Sequence, residues 1–226
     1  MKKTILMLSA AALVMCSCAL QQPSPHELPM DEKVNMERAR SLLASGRSPA
    51  EAVSTLIAEG KDAEDSRRYG KAIERYNQAW KIDPNHKDIY FRFASVMHAR
   101  GFLSRTIAMT EKGLELDPEN ALATCQLARA YQDKAVALLA SRDSRFRGEA
   151  AEIFKKADAL YEKASGMTDK DSELDLIYYA WAIERAIQRD PKGAWAKIAL
   201  SRKHGGKAIQ PEFLSRLSKT MLETAG

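Results

Sequence analysis

AIERYNQAWKIDP (residues 72–84) and TIAMTEKGLELDP (residues 106–118) superimpose at a shift of 34 residues, which carries Asp83 onto Asp117 and Pro84 onto Pro118. The correspondence extends beyond them: Phe93, Ala94 and Met97 stand 34 residues ahead of Leu127, Ala128 and Tyr131. Self-similarity at that period marks stacked helical hairpins, each of which buries its apolar face only against its neighbours. The spacing A-x3-Y-x2-A-x4-P is filled by Ala72, Tyr76, Ala79 and Pro84, and again by Thr106, Thr110, Gly113 and Pro118. Small side chains there let two helices approach closely, and the proline closes each unit because it cannot continue a helix.

The composition points the same way, to an all-α chain. Hydrophobic residues make up 45% of the 226 residues, with only 11 glycines, 8 prolines and no alternating β-branched run, which favours helix over strand. Ser48-Pro49-Ala50-Glu51 supplies a serine cap, a proline at the first helical position and a glutamate three residues after the cap, so a helix is expected to begin at Pro49. Further helices are expected over 31–43, from 49 to about 66, from Tyr69, up to about 140, and over 149–164, where Ala157, Tyr161 and Ala164 recover the second-helix spacing 17 residues late. A helix over 174–189 ends in AIQRDP like the earlier unit ends, and the spacing leaves open whether it is a first or a second arm. Two more, over 194–203 and 211–223, are expected to cap the stack.

At the N-terminus, Lys2 and Lys3 precede an apolar stretch over 5–15 that is too short to span a bilayer but suits an export signal. Met15-Cys16-Ser17-Cys18 resembles the lipobox of bacterial lipoproteins. Cys18, with small Ser17 before it, fits that pattern better than Cys16, which follows bulky Met15. The resemblance implies a signal over 1–17, acylation of Cys18 as the first mature residue, and a lipid anchor in the membrane. Buried acyl chains contribute about 0.8 kcal/mol per methylene. Ala19 in place of an aspartate implies the periplasmic face of the outer membrane. Residues 18–30 hold three prolines and read as a tether of at most roughly 40 Å. Residues 31–226 form the helical domain, with units over 53–86, 87–120 and an enlarged 121–166, then a degenerate unit and cap over 172–226. Cys125 is left without a partner in the mature chain, so no disulfide framework is expected. Loss of Lys2 and Lys3 lowers the formal charge from +5 to +3, too weak to argue for nucleic acid.

The repeat resembles the tetratricopeptide repeat, whose signature pairs an L-G-x2-Y first helix with an A-x3-F second helix ending at proline. Gly60, Ala72, Tyr76, Ala79, Pro84, Tyr90, Gly101, Pro118, Leu127, Ala128 and Tyr131 fit it, while Glu59, Thr106, Thr110 and Gly113 depart from it. The departures are expected to weaken packing in the second hairpin. The resemblance implies a right-handed α-solenoid whose concave groove is lined by Ile57, Lys61 and Glu64, then Phe91, Ser95 and His98, then Cys125, Arg129 and Gln132. Phe91 and Ile57 would anchor an apolar side chain, and Lys61 and Arg129 would receive a carboxylate. The carboxylate clamp of chaperone-binding repeats is not matched, since Ile57, Lys61, Arg92, Leu122 and Gln126 occupy its positions.

Motifs for catalysis, nucleotide or metal binding are missing from the sequence, and His26, His86, His98 and His204 are scattered. Neither a cofactor, a metal nor catalysis is expected. Arg142, Arg145 and Arg147 read as a solvated turn, and Tyr178, Tyr179, Trp181 and Trp195 as core. The expected function is a lipid-anchored scaffold that binds a partner protein or peptide in the envelope, as in assembly of a pilus, secretion or cell-wall complex. The alternative is a small-ligand-binding transporter accessory, which a deep apolar cavity among residues 121–200 would favour.

Overall fold

The computed structural model describes residues 33–141 and 145–225. The expected signal, Cys18, the tether, His26 and Arg142 lie outside the described residues. These form ten α-helices and, among the described residues, no strand. They divide into two compact units, one running up to Pro118 and including Val136–Phe146, the other comprising Glu119–Ala135 and everything from Arg147.

In unit 1, α1 (Glu37–Ala44) precedes two hairpins, α2 (Pro49–Asp65) with α3 (Tyr69–Ile82) and α4 (Lys87–Ala99) with α5 (Leu103–Leu116). The sequence places the start of α1 at Asp31, but residues 34–36 are not helical and Asn35 Oδ1 instead accepts from Glu37 N at 2.9 Å. The start of α2 is set by a reciprocal cap, in which Ser48 Oγ accepts from Glu51 N at 3.3 Å and Ser48 N donates to Glu51 Oε2 at 2.8 Å.

The two hairpins coincide in backbone detail at the 34-residue shift. α3 and α5 begin at Tyr69 and Leu103 and end at Ile82 and Leu116. Each hairpin turns through three residues, and the middle one, Arg67 or Gly101, adopts a left-handed φ of 57° or 78°. The next backbone N–H then closes on the carbonyl five residues back, Arg68 on Ala63 at 2.7 Å and Phe102 on Met97 at 2.9 Å.

Residues that depart from the repeat consensus each have a structural role. Glu59 accepts from Arg75 Nε at 2.9 Å and from the guanidinium of Arg38, tying α1 to α2 and α3. Buried Thr106 and Thr110 return their hydroxyls to Phe102 O at 3.1 Å and Thr106 O at 2.8 Å. Gly113 makes room for the ring of Phe91, which would stand 2.3 Å from a Cβ there. The second hairpin therefore keeps close packing with large and small residues exchanged: in the first, Gly60 lies under Tyr76.

That exchange predicts an ordering. Tyr76 is fully buried and cannot yield, so Gly60→Ala should cost unit 1 about 2 kcal/mol despite better helix propensity. Phe91 is only partly buried and can swing aside, so Gly113→Ala should cost less than about 1 kcal/mol. Urea unfolding of the two variants checks this, and equal costs would refute it.

Unit 2 contains most of α6 (Ala121–Ala140), then α7 (Phe146–Gly166), α8 (Asp171–Ile187), α9 (Pro191–Lys203) and α10 (Pro211–Ala225). α6 and α7 are long, at 20 and 21 residues. α8 begins three residues before the expected Leu174, with Asp171 and Glu173 in its first turn. The open question about its place is answered by its end. α8 passes into α9 through three residues, with Arg189 at φ 62° and Asp190 N on Arg185 O at 2.9 Å, the same turn that follows α2 and α4. α8 is thus the first arm of a hairpin. Pro191 does not close a unit as Pro84 and Pro118 do: it opens α9 behind a cap in which Asp190 Oδ1 accepts from Gly193 N at 2.9 Å.

Candidate functional site

The residues expected to line a groove in unit 1 lie on α2 and α4, which a shared carboxylate holds side by side. Glu64 accepts from the Tyr76 hydroxyl at 2.8 Å through Oε2 and from the Ser95 hydroxyl through Oε1. Burial first, and the Glu64 carboxylate next, push the Tyr76 phenol far above its ordinary range, so it stays a donor. Its ring meets Phe93 edge-on at 5.8 Å. Around this post, Ile57 is half-buried against the core and Lys61 is exposed, 3.6 Å from Asp65. His98 is half-buried, and Phe91 rests on Gly113. The packing positions Ala72, Ala79, Tyr90 and Gly101 are all buried, while Pro84 and Pro118 are exposed just past α3 and α5. The face mixes charge with modest apolar area, and its polar centre is already satisfied from within.

Unit 2 departs from expectation. Cys125 and Gln132 do not face solvent; each is 6% exposed. Cys125 packs with Ala128, Tyr161, Ile177 and Trp181, and burial pushes its thiol up to about 12. Gln132 Oε1 accepts from Tyr161 OH at 3.0 Å. The reason lies in α6, which is buried around much of its circumference, including Ala121, Thr124, Cys125, Leu127, Ala128 and Tyr131. Of the three residues expected there, Arg129 alone is exposed.

Two polar features escaped the sequence reading. An open cleft of about 690 Å³ lies between the start of α8 and the segment after α9, lined by residues that include Asp171, Asp175, Lys203, His204 and Lys207. Within it His204 Nδ1 is 2.7 Å from Asp171 Oδ1, and buried Asp175 accepts from Ser201 Oγ at 2.5 Å and Ala208 N at 3.0 Å. The second feature is a seam of charge between α7 and α8, with Asp158 and Arg185 partly exposed at its edge. Asp158 Oδ1 accepts from Trp181 Nε1 at 2.6 Å and from Arg185 at 2.8 Å, beside fully buried Glu184. YYAWAIERAIQRD (178–190) carries no sign of this, because Glu184 next to Arg185 reads as an ordinary solvated pair. Trp181 is in the core, with Tyr178 partly buried against it and stacked on His204, while Tyr179, which meets Phe213, and Trp195 pack partly buried against the cluster of Ala194 and Ile198.

No group of three metal-ligating side chains occurs among the described residues, and no described helix is long and apolar enough to cross a membrane. No protein-family model and no curated protein matches the chain.

Proposed function

We propose that the chain is a tetratricopeptide-type, lipid-anchored, non-enzymatic scaffold of the bacterial envelope that binds a segment of a partner protein across the first helices of its hairpins. The observation that carries the reading is the α2–α4 face. Two helices in equivalent positions of hairpins 34 residues apart present Lys61 and His98 around a Glu64 post that Tyr76 and Ser95 hold rigid. A preformed surface binds a flexible segment without first having to order itself. Filling of the space between α6, α7 and α8 by Tyr161, Ile177 and Trp181 favours this reading over a ligand carrier. Exposed Arg129 supplies a cation on unit 2. The anchor at Cys18 would raise the local concentration of the scaffold at the membrane.

A photoreactive side chain at Lys61, activated in whole cells, should yield a discrete crosslinked partner that the same probe at Lys155, exposed on α7, does not. No adduct, or the same adducts from both positions, would refute the groove. Cys18→Ser should abolish acylation and release the chain from the membrane fraction; retention there would refute the anchor.

A further inference from the structure

Glu184 is the most anomalous side chain of unit 2. It has no exposed surface, neither carboxylate oxygen makes a hydrogen bond of good geometry, and its close polar neighbours are the Asp158 carboxyl and, one turn along α8, the buried amide of Gln188. An ionised carboxylate in that setting is among the costliest placements in a protein interior. The neighbouring groups do not offset it. Asp158 of α7 is an acid, and its Oδ1 already takes the Trp181 indole N–H and the Arg185 guanidinium. Arg185 is also drawn toward Asp190, at 3.7 Å. Lys197 of α9 is spent on Trp181, its ammonium 3.1 Å from the ring centroid. Tyr161 of α7 stacks on Trp181 at 6.1 Å and gives its hydroxyl to Gln132 of α6. The remaining charges act one step removed, Glu162 on Lys197, and Cys125, Arg129 and Asp133 on Tyr161.

The neutral acid is the form this environment accommodates. We propose that Glu184 is a proton-operated latch: neutral, it keeps α8 seated against α7 and α9, and passing its proton to solvent unseats the Asp158–Trp181–Arg185 contact. Burial first, and Asp158 second, push the Glu184 carboxyl up to about 8, while Arg185 and Gln188 act against them. Once ionised, Glu184 repels Asp158 and competes with it for Arg185. The Trp181 indole then loses the fixed acceptor that holds it over Tyr161 and the Cys125 cluster. The latch makes the packing of this unit respond to weakly alkaline pH.

The test follows the Trp181 indole N–H signal of the full chain by NMR from pH 6 to 10, assigned by its loss in Trp181→Phe, together with amide exchange in α8. The indole should shift with a midpoint near 8. Exchange should rise about a hundredfold per pH unit below the midpoint and tenfold above it, intrinsic base catalysis supplying the factor of ten common to both. Glu184→Gln should abolish the step, and Asp158→Asn should move it to lower pH by removing the repulsion. A wild-type chain without the step, a Glu184→Gln chain that keeps it, or an Asp158→Asn chain whose midpoint does not fall would overturn the latch. Should a variant fail to fold, the carboxyl carbon of Glu184 in the wild-type chain decides: titration near the ordinary 4.5 overturns the proposal, and titration near 8 upholds it.

Discussion

Tyr76→Ala should lower the free energy of unfolding of unit 1 by about 3–5 kcal/mol, the largest loss expected from any single truncation in that unit. The ring is fully buried, meets Phe93 edge-on and covers Gly60, which has no side chain with which to fill the space left behind. The hydroxyl contributes separately, because it holds one oxygen of the carboxylate that also takes Ser95. Tyr76→Phe isolates that part and should cost about 1 kcal/mol. Denaturant unfolding followed through the fluorescence of Trp80, the tryptophan of unit 1, measures both. A loss below 1 kcal/mol for Tyr76→Ala would mean that Tyr76 does not carry the hairpin, and the rigid post proposed for the α2–α4 face would fall with it.

Raising the pH from 5 to 9 should destabilise unit 2. The Glu184 carboxyl is raised on folding from 4.5 to about 8, so the native state holds one proton more than the unfolded chain between those values. Stability is therefore fully present below about 4.5, falls as pH rises through the interval and levels off above about 8. A shift of that size corresponds to on the order of 5 kcal/mol. Glu51, Glu59 and Glu173 act in another window: their carboxyls are held below the ordinary range, so their contributions are present at neutral pH and lost on acidification below about 4.5. Lys197, held below 10.5 chiefly by burial, adds stability as pH rises toward 10.5 and opposes the decline only at its alkaline end. Thermal midpoints at pH 5, 7 and 9 should fall steadily in the wild-type chain and stay level in Glu184→Gln. Parallel declines in both would assign the effect to other groups.

Much of the fold was legible because it is local. A serine cap, a proline at the first position and a left-handed turn residue act within a few residues of themselves, so the start of α2 and the limits of the hairpins could be read from Ser48, Glu51 and the 34-residue period. The Asp-Pro pair at 190–191 shows where local reading stops: the same two residues that follow a helix at 83–84 and 117–118 begin one there, and chain direction around them decides which. Of the site, the groove positions on α2 and α4 were expected from the resemblance, and Lys61 is the exposed one among them; the burial of Cys125 and Gln132 could not be read, since it depends on how much of α6 its neighbours cover.

By itself the sequence determined the helical class, the hairpin period and the residue types at each tight contact, because backbone hydrogen bonding and side-chain size are properties of short segments. Tertiary structure alone decided that Gly113 receives Phe91, that Glu64 joins two helices, and that Glu184 is buried beside the acid Asp158. Those outcomes depend on which distant side chains remove water from a given position, and desolvation is set by the whole packed assembly rather than by neighbours along the chain.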